Sequence, residues 1–168
     1  RFRVMAADML DTGNMRRYLA TFRRYAKGSP KLWGLHNYGD INRRRTTYTK
    51  QMLRTVPGEV WLTETGGIVR FRKSWPFDER RAARAVRHSF RLAASSRRIK
   101  RMYLYNWRAD LVNRRWDSGI LAADGSERRA YGELLDGLAL PRFRPPPPPV
   151  VPMAEPDPEP PSGVDGDD

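Results

Sequence analysis

Two strand-length apolar runs end in side chains that can do chemistry. Val60-Trp61-Leu62-Thr63 is followed by Glu64, and Leu32 to Leu35 is followed by His36, Asn37 and Tyr38. A carboxylate that continues an apolar run is costly to bury without partners. It points either to a nucleophile or proton-transfer group, or to an ion pair with one of the many arginines. Two further runs end in the same manner, as Val4-Met5-Ala6-Ala7-Asp8 and as Leu104-Tyr105-Asn106-Trp107. Asp8 can hydrogen-bond a ligand or cap a neighbouring helix. Other chemistries are excluded. The chain has no Cys, so it has neither thiolate metal ligands nor a Cys nucleophile. Gly66-Gly67 lacks the spacing of a phosphate-binding loop. No cluster of zinc or hard-cation ligands is present, so neither a metal nor a cofactor is expected.

Positioning these residues requires a regular scaffold, and the chain alternates two periodicities. Strands are expected at Phe2 to Ala7, Leu32 to Leu35, Val60 to Thr63 and Ile99 to Trp107. Between and after them, helical spacing aligns Met15, Leu19 and Phe22, then Tyr48, Met52 and Val56, then Ala82, Val86 and Phe90, then Ala130, Leu134 and Leu138. Asn14, Asp78 and Ser126 are expected to cap the first, third and fourth helices. Four βα units in a row imply parallel strands with right-handed crossovers. The class is therefore α/β, as an open doubly wound sheet or as part of a barrel. The 168 residues fall short of the roughly 250 of a complete eight-fold β/α barrel. Alternation places Val60, Leu62 and Glu64 on one inward face, with His36 and Tyr38 on a shared face. Trp33 and Trp61 are expected to pack under the helices.

The net charge is +13, with 32 basic and 19 acidic side chains. Arg outnumbers Lys 27 to 5, and most arginines fall on polar helix faces. No recognised nucleic-acid-binding pattern accompanies them, so no specific nucleic-acid partner is expected. No run reaches the roughly 18 apolar residues of a membrane span. The chain divides into a body, 1–140, and a tail, 141–168. The tail holds 11 of the 14 prolines and, from Pro145 onward, six acids without a basic residue. It is expected to be extended, disordered linker.

The strand endings resemble a family. Trp33-Gly34-Leu35-His36-Asn37-Tyr38, Val60-Trp61-Leu62-Thr63-Glu64-Thr65-Gly66-Gly67 and Leu104-Tyr105-Asn106-Trp107 look like the sixth, seventh and eighth strands of clan A retaining glycoside hydrolases, with uncharacterised actinobacterial members the nearest likeness. Trp116-Asp117-Ser118-Gly119 and Arg129-Ala130-Tyr131 resemble the loop and last helix that close such barrels. The likeness covers most of residues 1–138. It implies the carboxyl-terminal half, strands five to eight, of a TIM barrel that hydrolyses O-glycosyl bonds. It implies Glu64 as the catalytic nucleophile, Tyr38 as its hydrogen-bonding neighbour, and His36, Asn37 and Asp8 as residues of the sugar site. It further implies Trp107 as the aromatic floor under the sugar and Trp116 as a second aromatic contact. Family members are commonly exported.

One departure from the family pattern matters. In this clan an Asn-Glu pair at the end of the fourth strand supplies the acid/base, and here no Asn is directly followed by Glu. Glu59, Glu79, Glu127 and Glu133 fall at the wrong rim or in helices. The expectation is a fragment whose partner is the missing amino-terminal half of the barrel and which is inactive alone. Two alternatives stand beside it: a non-catalytic carbohydrate-binding or scaffold protein, and a basic nucleic-acid-binding protein.

Overall fold

The computed structural model describes residues 2–110 and 115–143. In chain order its elements are β1 (Asp8–Leu10), α1 (Met15–Tyr25), β2 (Leu32–His36), α2 (Tyr38–Asn42), α3 (Thr47–Thr55), β3 (Glu59–Thr65), β4 (Arg70–Phe71), α4 (Glu79–Ala94), β5 (Ile99–Leu104), β6 (Trp116–Asp117) and α5 (Arg129–Ala139). The proline-rich tail from 144 onward lies outside the described residues. No described helix is long and apolar enough to cross a membrane.

Apolar stripes on the helices and apolar positions on the strands bury each other, which is the main favourable contribution to folding. Met15, Leu19, Met52, Val56 and Ala93 from α1, α3 with its end, and α4 meet Trp33, Leu35, Val60, Leu62 and Ile99 in one buried cluster. The four strands of the main sheet are all parallel, in the order β1-β2-β3-β5. A second cluster, of Val86, Phe90, Ile120 and Ala130, joins α4 to α5. Beyond α5, Phe143 packs edge-on against Phe90 with ring centroids 5.1 Å apart. The turn from α3 into β3 needs Gly58. Its φ is +79°, and a Cβ there would run into the Lys31 backbone.

The helices cover one face of the sheet only. On the other face Trp61 lies beside Tyr103, with centroids 6.3 Å apart and the rings tilted by 46°, and under the guanidinium groups of Arg101 and Arg3 at 4.7 and 5.7 Å. This corrects the expected alternation. Trp33 does pack under the helices, but Trp61 faces away from them, and it is Val60 and Leu62 that are buried beneath them.

Glu64 nevertheless reaches the open face, because β3 carries a bulge. Trp61 pairs with Gly34 and Glu64 with His36 on one side, while Leu62 pairs with Met102 and Thr65 with Leu104 on the other. In that interval β3 has one more residue than either neighbour. The extra residue resets the alternation, so that Thr63 and Glu64 both join side chains of the open face.

Other expectations shift as well. Pairing of the first strand starts with Ala6 N–H donating to Leu32 O at 2.9 Å, and β1 is Asp8–Leu10 rather than Phe2 to Ala7. Phe2 and Val4 find no partner strand and are 99% and 81% exposed. Of the expected caps, Asp78 accepts Arg81 N–H at 2.9 Å. Asn14 makes no capping bond, and Ser126 bonds Asp124 while α5 begins after Arg128. Three elements were not expected: the short helix α2 and the two strands of the antiparallel pair β4–β6. A buried Arg128 holds β6 through two bonds to Asp117, at 2.8 and 2.9 Å.

Candidate active site

The carboxyl ends of the parallel strands bring four polar side chains together. His36 is central. Its Nδ1 lies 2.7 Å from Glu64 Oε2 and its Nε2 3.1 Å from Asp8 Oδ2. Asp8 Oδ1 in turn accepts a hydrogen bond from Thr63 Oγ1. Three adjacent strands contribute: β1 gives Asp8, β2 gives His36, and the bulged end of β3 gives Thr63 and Glu64. Both ring nitrogens face carboxylate oxygens. Gly34 makes room for this. It pairs directly with Asp8, and a Cβ there would strike the Asp8 carboxyl. The side chains of Glu64 and His36 keep 29% and 27% of their exposure, so the cluster opens to solvent yet is braced from below.

Tyr38 stands beside the cluster as the first residue of α2, not as a continuation of the strand. Burial pushes its phenol far above the ordinary tyrosine range, and the charge of Glu64 pushes it further. The phenol is therefore a neutral donor wherever the protein is folded. It donates to Tyr105 O at 3.4 Å, and its ring meets Trp116 edge-on with centroids 4.9 Å apart. Trp116 Nε1 donates to Ser118 Oγ at 3.0 Å, and Ser118 bonds Asn106 Oδ1 at 3.3 Å. The aromatic wall next to Glu64 is thus made of Tyr38 and Trp116.

Placement of Tyr38 depends on how α2 is fastened. Asn42 Nδ2 donates to Tyr38 O at 3.0 Å and to Gly66 O at 2.9 Å, and its Oδ1 accepts from Ile68 N at 2.7 Å. One buried amide therefore ties the helix of Tyr38 to the loop that follows Glu64. Asp40 Oδ2 accepts from Thr49 N at 2.7 Å at the start of α3. Asp11 Oδ2 accepts from Asp40 N at 2.6 Å. Burial raises the Asp11 carboxyl to about 6, opposed by the backbone donors of Asp40 and Gly39.

Not every expected residue joins the cluster. Asn37 is fully buried, with its Nδ2 3.5 Å from Thr49 Oγ1 toward α3, so its side chain faces the helix layer and not the open rim. Trp107 is 56% exposed and packs edge-on against Tyr131 of α5, centroids 6.1 Å apart. Thr63, Asn42 and Ser118 were missed. Thr63 adjoins Glu64, but only the bulge makes it a neighbour of Asp8. Asn42 and Ser118 carry no spacing signal. The other glutamates lie elsewhere: Glu59 pairs with Arg3 at 2.8 Å, Glu133 pairs with Arg87, and Glu79 lies 3.6 Å from Arg128.

No family model and no curated protein matches the chain. Solved structures do. A GH2 β-galacturonidase from Eisenbergiella tayi bound to galacturonate aligns over 76% of this chain and 31% of its own, with 13% identity and a TM-score of 0.52. Xylanase 10B from Thermotoga maritima aligns over 74% of this chain and 41% of its own, with 10% identity and a TM-score of 0.51. A β-glucuronidase from an uncultured Clostridium species covers 78% of this chain and 31% of its own, with 11% identity and a TM-score of 0.50. The chain spans less than half the length of each. At these identities the likeness is one of fold: a parallel α/β unit matching part of a TIM-barrel glycosidase.

Proposed function

We propose that this chain carries the nucleophile side of a retaining glycoside hydrolase, with Glu64 as the nucleophile. The observation that carries the reading is the bond from His36 to Glu64 at the carboxyl rim of a parallel sheet, 2.7 Å long, beside the Tyr38–Trp116 wall. A Glu64 carboxylate oxygen attacks the anomeric carbon, and the bond from that carbon to the leaving oxygen breaks with its electron pair. His36 holds the carboxylate in place, with Asp8 and Thr63 as positioning residues. The neutral Tyr38 phenol keeps that side of the pocket uncharged. Water then attacks the glycosyl ester and restores Glu64. Trp116 supplies a flat face for the sugar ring, with Trp107 as a further contact.

The general acid is a separate contribution. Asp8, the other carboxylate of the cluster, is committed to His36 and Thr63, so the second carboxyl group comes from a complementary part of the barrel. General acid catalysis typically contributes about 10²- to 10⁴-fold, and unactivated glycosides should therefore turn over very slowly on this chain alone. A leaving group that needs no proton bypasses the requirement. Incubation with a panel of fluorosugar glycosides bearing a dinitrophenyl leaving group should yield one covalent adduct, found by mass spectrometry on the peptide containing Glu64 and absent in Glu64→Gln. An adduct on another residue, or undiminished labelling of Glu64→Gln, would remove Glu64 from the mechanism.

A further inference from the structure

The surface between α1 and α3 carries charge of one sign. From Thr12 to Gly58 the chain has eleven Arg and Lys residues and one acid, Asp40. Asp40 is 1% exposed, and its carboxylate is spent on the backbone N–H groups of Tyr48 and Thr49. Asp11, just before this segment, is turned onto Asp40 N. Helical spacing sets Arg16 and Arg23 of α1 opposite Tyr48, Gln51 and Arg54 of α3, and with Thr47 they line a groove of about 680 Å³. Arg23 donates to Thr55 O and Arg54 to Lys50 O. Among the described residues none of these three arginines is in an ion pair. On α4, by contrast, Arg81 and Arg87 have Asp78 and Glu133.

An occupant of this groove must be anionic, and carboxylates match guanidinium groups best. The chain carries such a segment: between Glu155 and Asp168 stand six acids and no basic residue. We propose that residues 155–168 dock in the α1–α3 groove of their own chain, with their carboxylates on Arg16, Arg23 and Arg54. The groove is thus a binding surface for an acidic peptide, and the contact does not depend on the role proposed for Glu64.

Distance permits it. Arg142 donates to Ala94 O, Ser96 O and Ile99 O at 2.7–3.0 Å, beside the end of α4. Next to it Arg98 donates to Leu53 O, Val56 O and Gly58 O at the end of α3, and Arg23 reaches Thr55 O from α1. These contacts trace one path from Phe143 to the mouth of the groove. Packed helices stand about 8–10 Å apart, so the path across α4 and α3 is about 20–30 Å long. Twelve residues lead from Phe143 to Glu155, a reach of up to about 40 Å. Arg97 and Lys100 line the same recess as Phe143, but residues 145–154, which pass them, carry no charge. Tethering gives the acids an effective concentration of about millimolar, so weak, exposed pairs suffice. Salt near 1 M, where the Debye length falls to about 3 Å, releases them.

Carbodiimide coupling joins a carboxylate only to an amine in contact with it, so the full chain carrying Arg54→Lys reads the contact directly. Mass spectrometry should find residues 155–168 joined to position 54 of the same copy, in excess over Lys100, and the product should vanish near 1 M salt. A second measurement decides the matter even if Arg54→Lys fails to fold. Neutralising the six acids (Glu155→Gln, Asp157→Asn, Glu159→Gln, Asp165→Asn, Asp167→Asn, Asp168→Asn) should free the groove and tighten binding of a heparin fragment about tenfold. Adding Arg16→Gln and Arg54→Gln should remove that gain. Coupling spread evenly over the lysines, coupling between copies, or a gain that survives the arginine substitutions would each overturn the proposal. So would heparin binding that ignores the six acids, which would mark the groove as open to an external polyanion.

Discussion

His36 Nδ1 and Glu64 Oε2 lie 2.7 Å apart, joined across two neighbouring strands that pair at these very residues. A hydrogen bond to a charged group contributes about 1.5–3 kcal/mol. His36→Phe should therefore slow covalent labelling of Glu64 by roughly tenfold or more, with the label still on the same peptide. His36→Gln, which can still donate one hydrogen bond, should recover part of the rate. Equal rates for all three proteins in a mass-spectrometric time course would show that the bond does not act on the nucleophile.

Tyr38 should ionise only when the protein unfolds. Burial, then the charge of Glu64, raises its phenol, whereas Tyr25, Tyr103 and Tyr105 are exposed. In an alkaline titration followed by phenolate absorbance, wild type and Tyr38→Phe should coincide until the unfolding transition and differ by one tyrosine above it. A difference already present across the ordinary tyrosine range would show that Tyr38 is open to water.

Asn42 is the joint between α2 and the loop after β3, with three bonds of 2.7–3.0 Å to Tyr38, Gly66 and Ile68. Each buried group left without a partner costs about 1–3 kcal/mol. Asn42→Leu should lower the unfolding free energy by about 3 kcal/mol or more in urea melts and should slow labelling of Glu64. Loss of stability without loss of labelling would confine Asn42 to the scaffold.

Asp11 should give stability an unusual pH dependence. Its folded-state carboxyl is raised to about 6 from an ordinary value of 3.8, so the folded state holds its proton more tightly than the unfolded chain. The linked contribution is fully present below about pH 4 and is lost as pH rises through 6. Thermal melts of wild type and Asp11→Asn should therefore diverge between those values, with wild type losing stability relative to the variant as pH increases. Parallel curves would place Asp11 in contact with solvent.

Much of the scaffold was legible because burial leaves a periodic mark. The stripe of Met15, Leu19 and Phe22 predicted α1 within a residue of its start, and Asp78 marked the start of α4. The candidate site was legible in part. His36, Tyr38, Glu64 and Asp8 stood out because polar groups ended apolar runs, and the structure brings them together. Asn37 shares that signal but turns toward Thr49, since α2 starts one residue later and redirects the chain.

The sequence by itself determined the rhythm of βα units, the parallel sheet that follows from it, and Asp8, His36, Tyr38 and Glu64 as polar residues at the strand ends. Only the tertiary structure decided which face they occupy. Strict alternation assigns Glu64 to the same side as Val60 and Leu62. The bulge in β3 reverses that, and a bulge exists only relative to the strands on either side, Leu32–His36 and Ile99–Leu104. Register is a property of paired backbones, so a single residue gained against two neighbours cannot be read from one strand alone. The bond from Glu64 to His36 follows from that register.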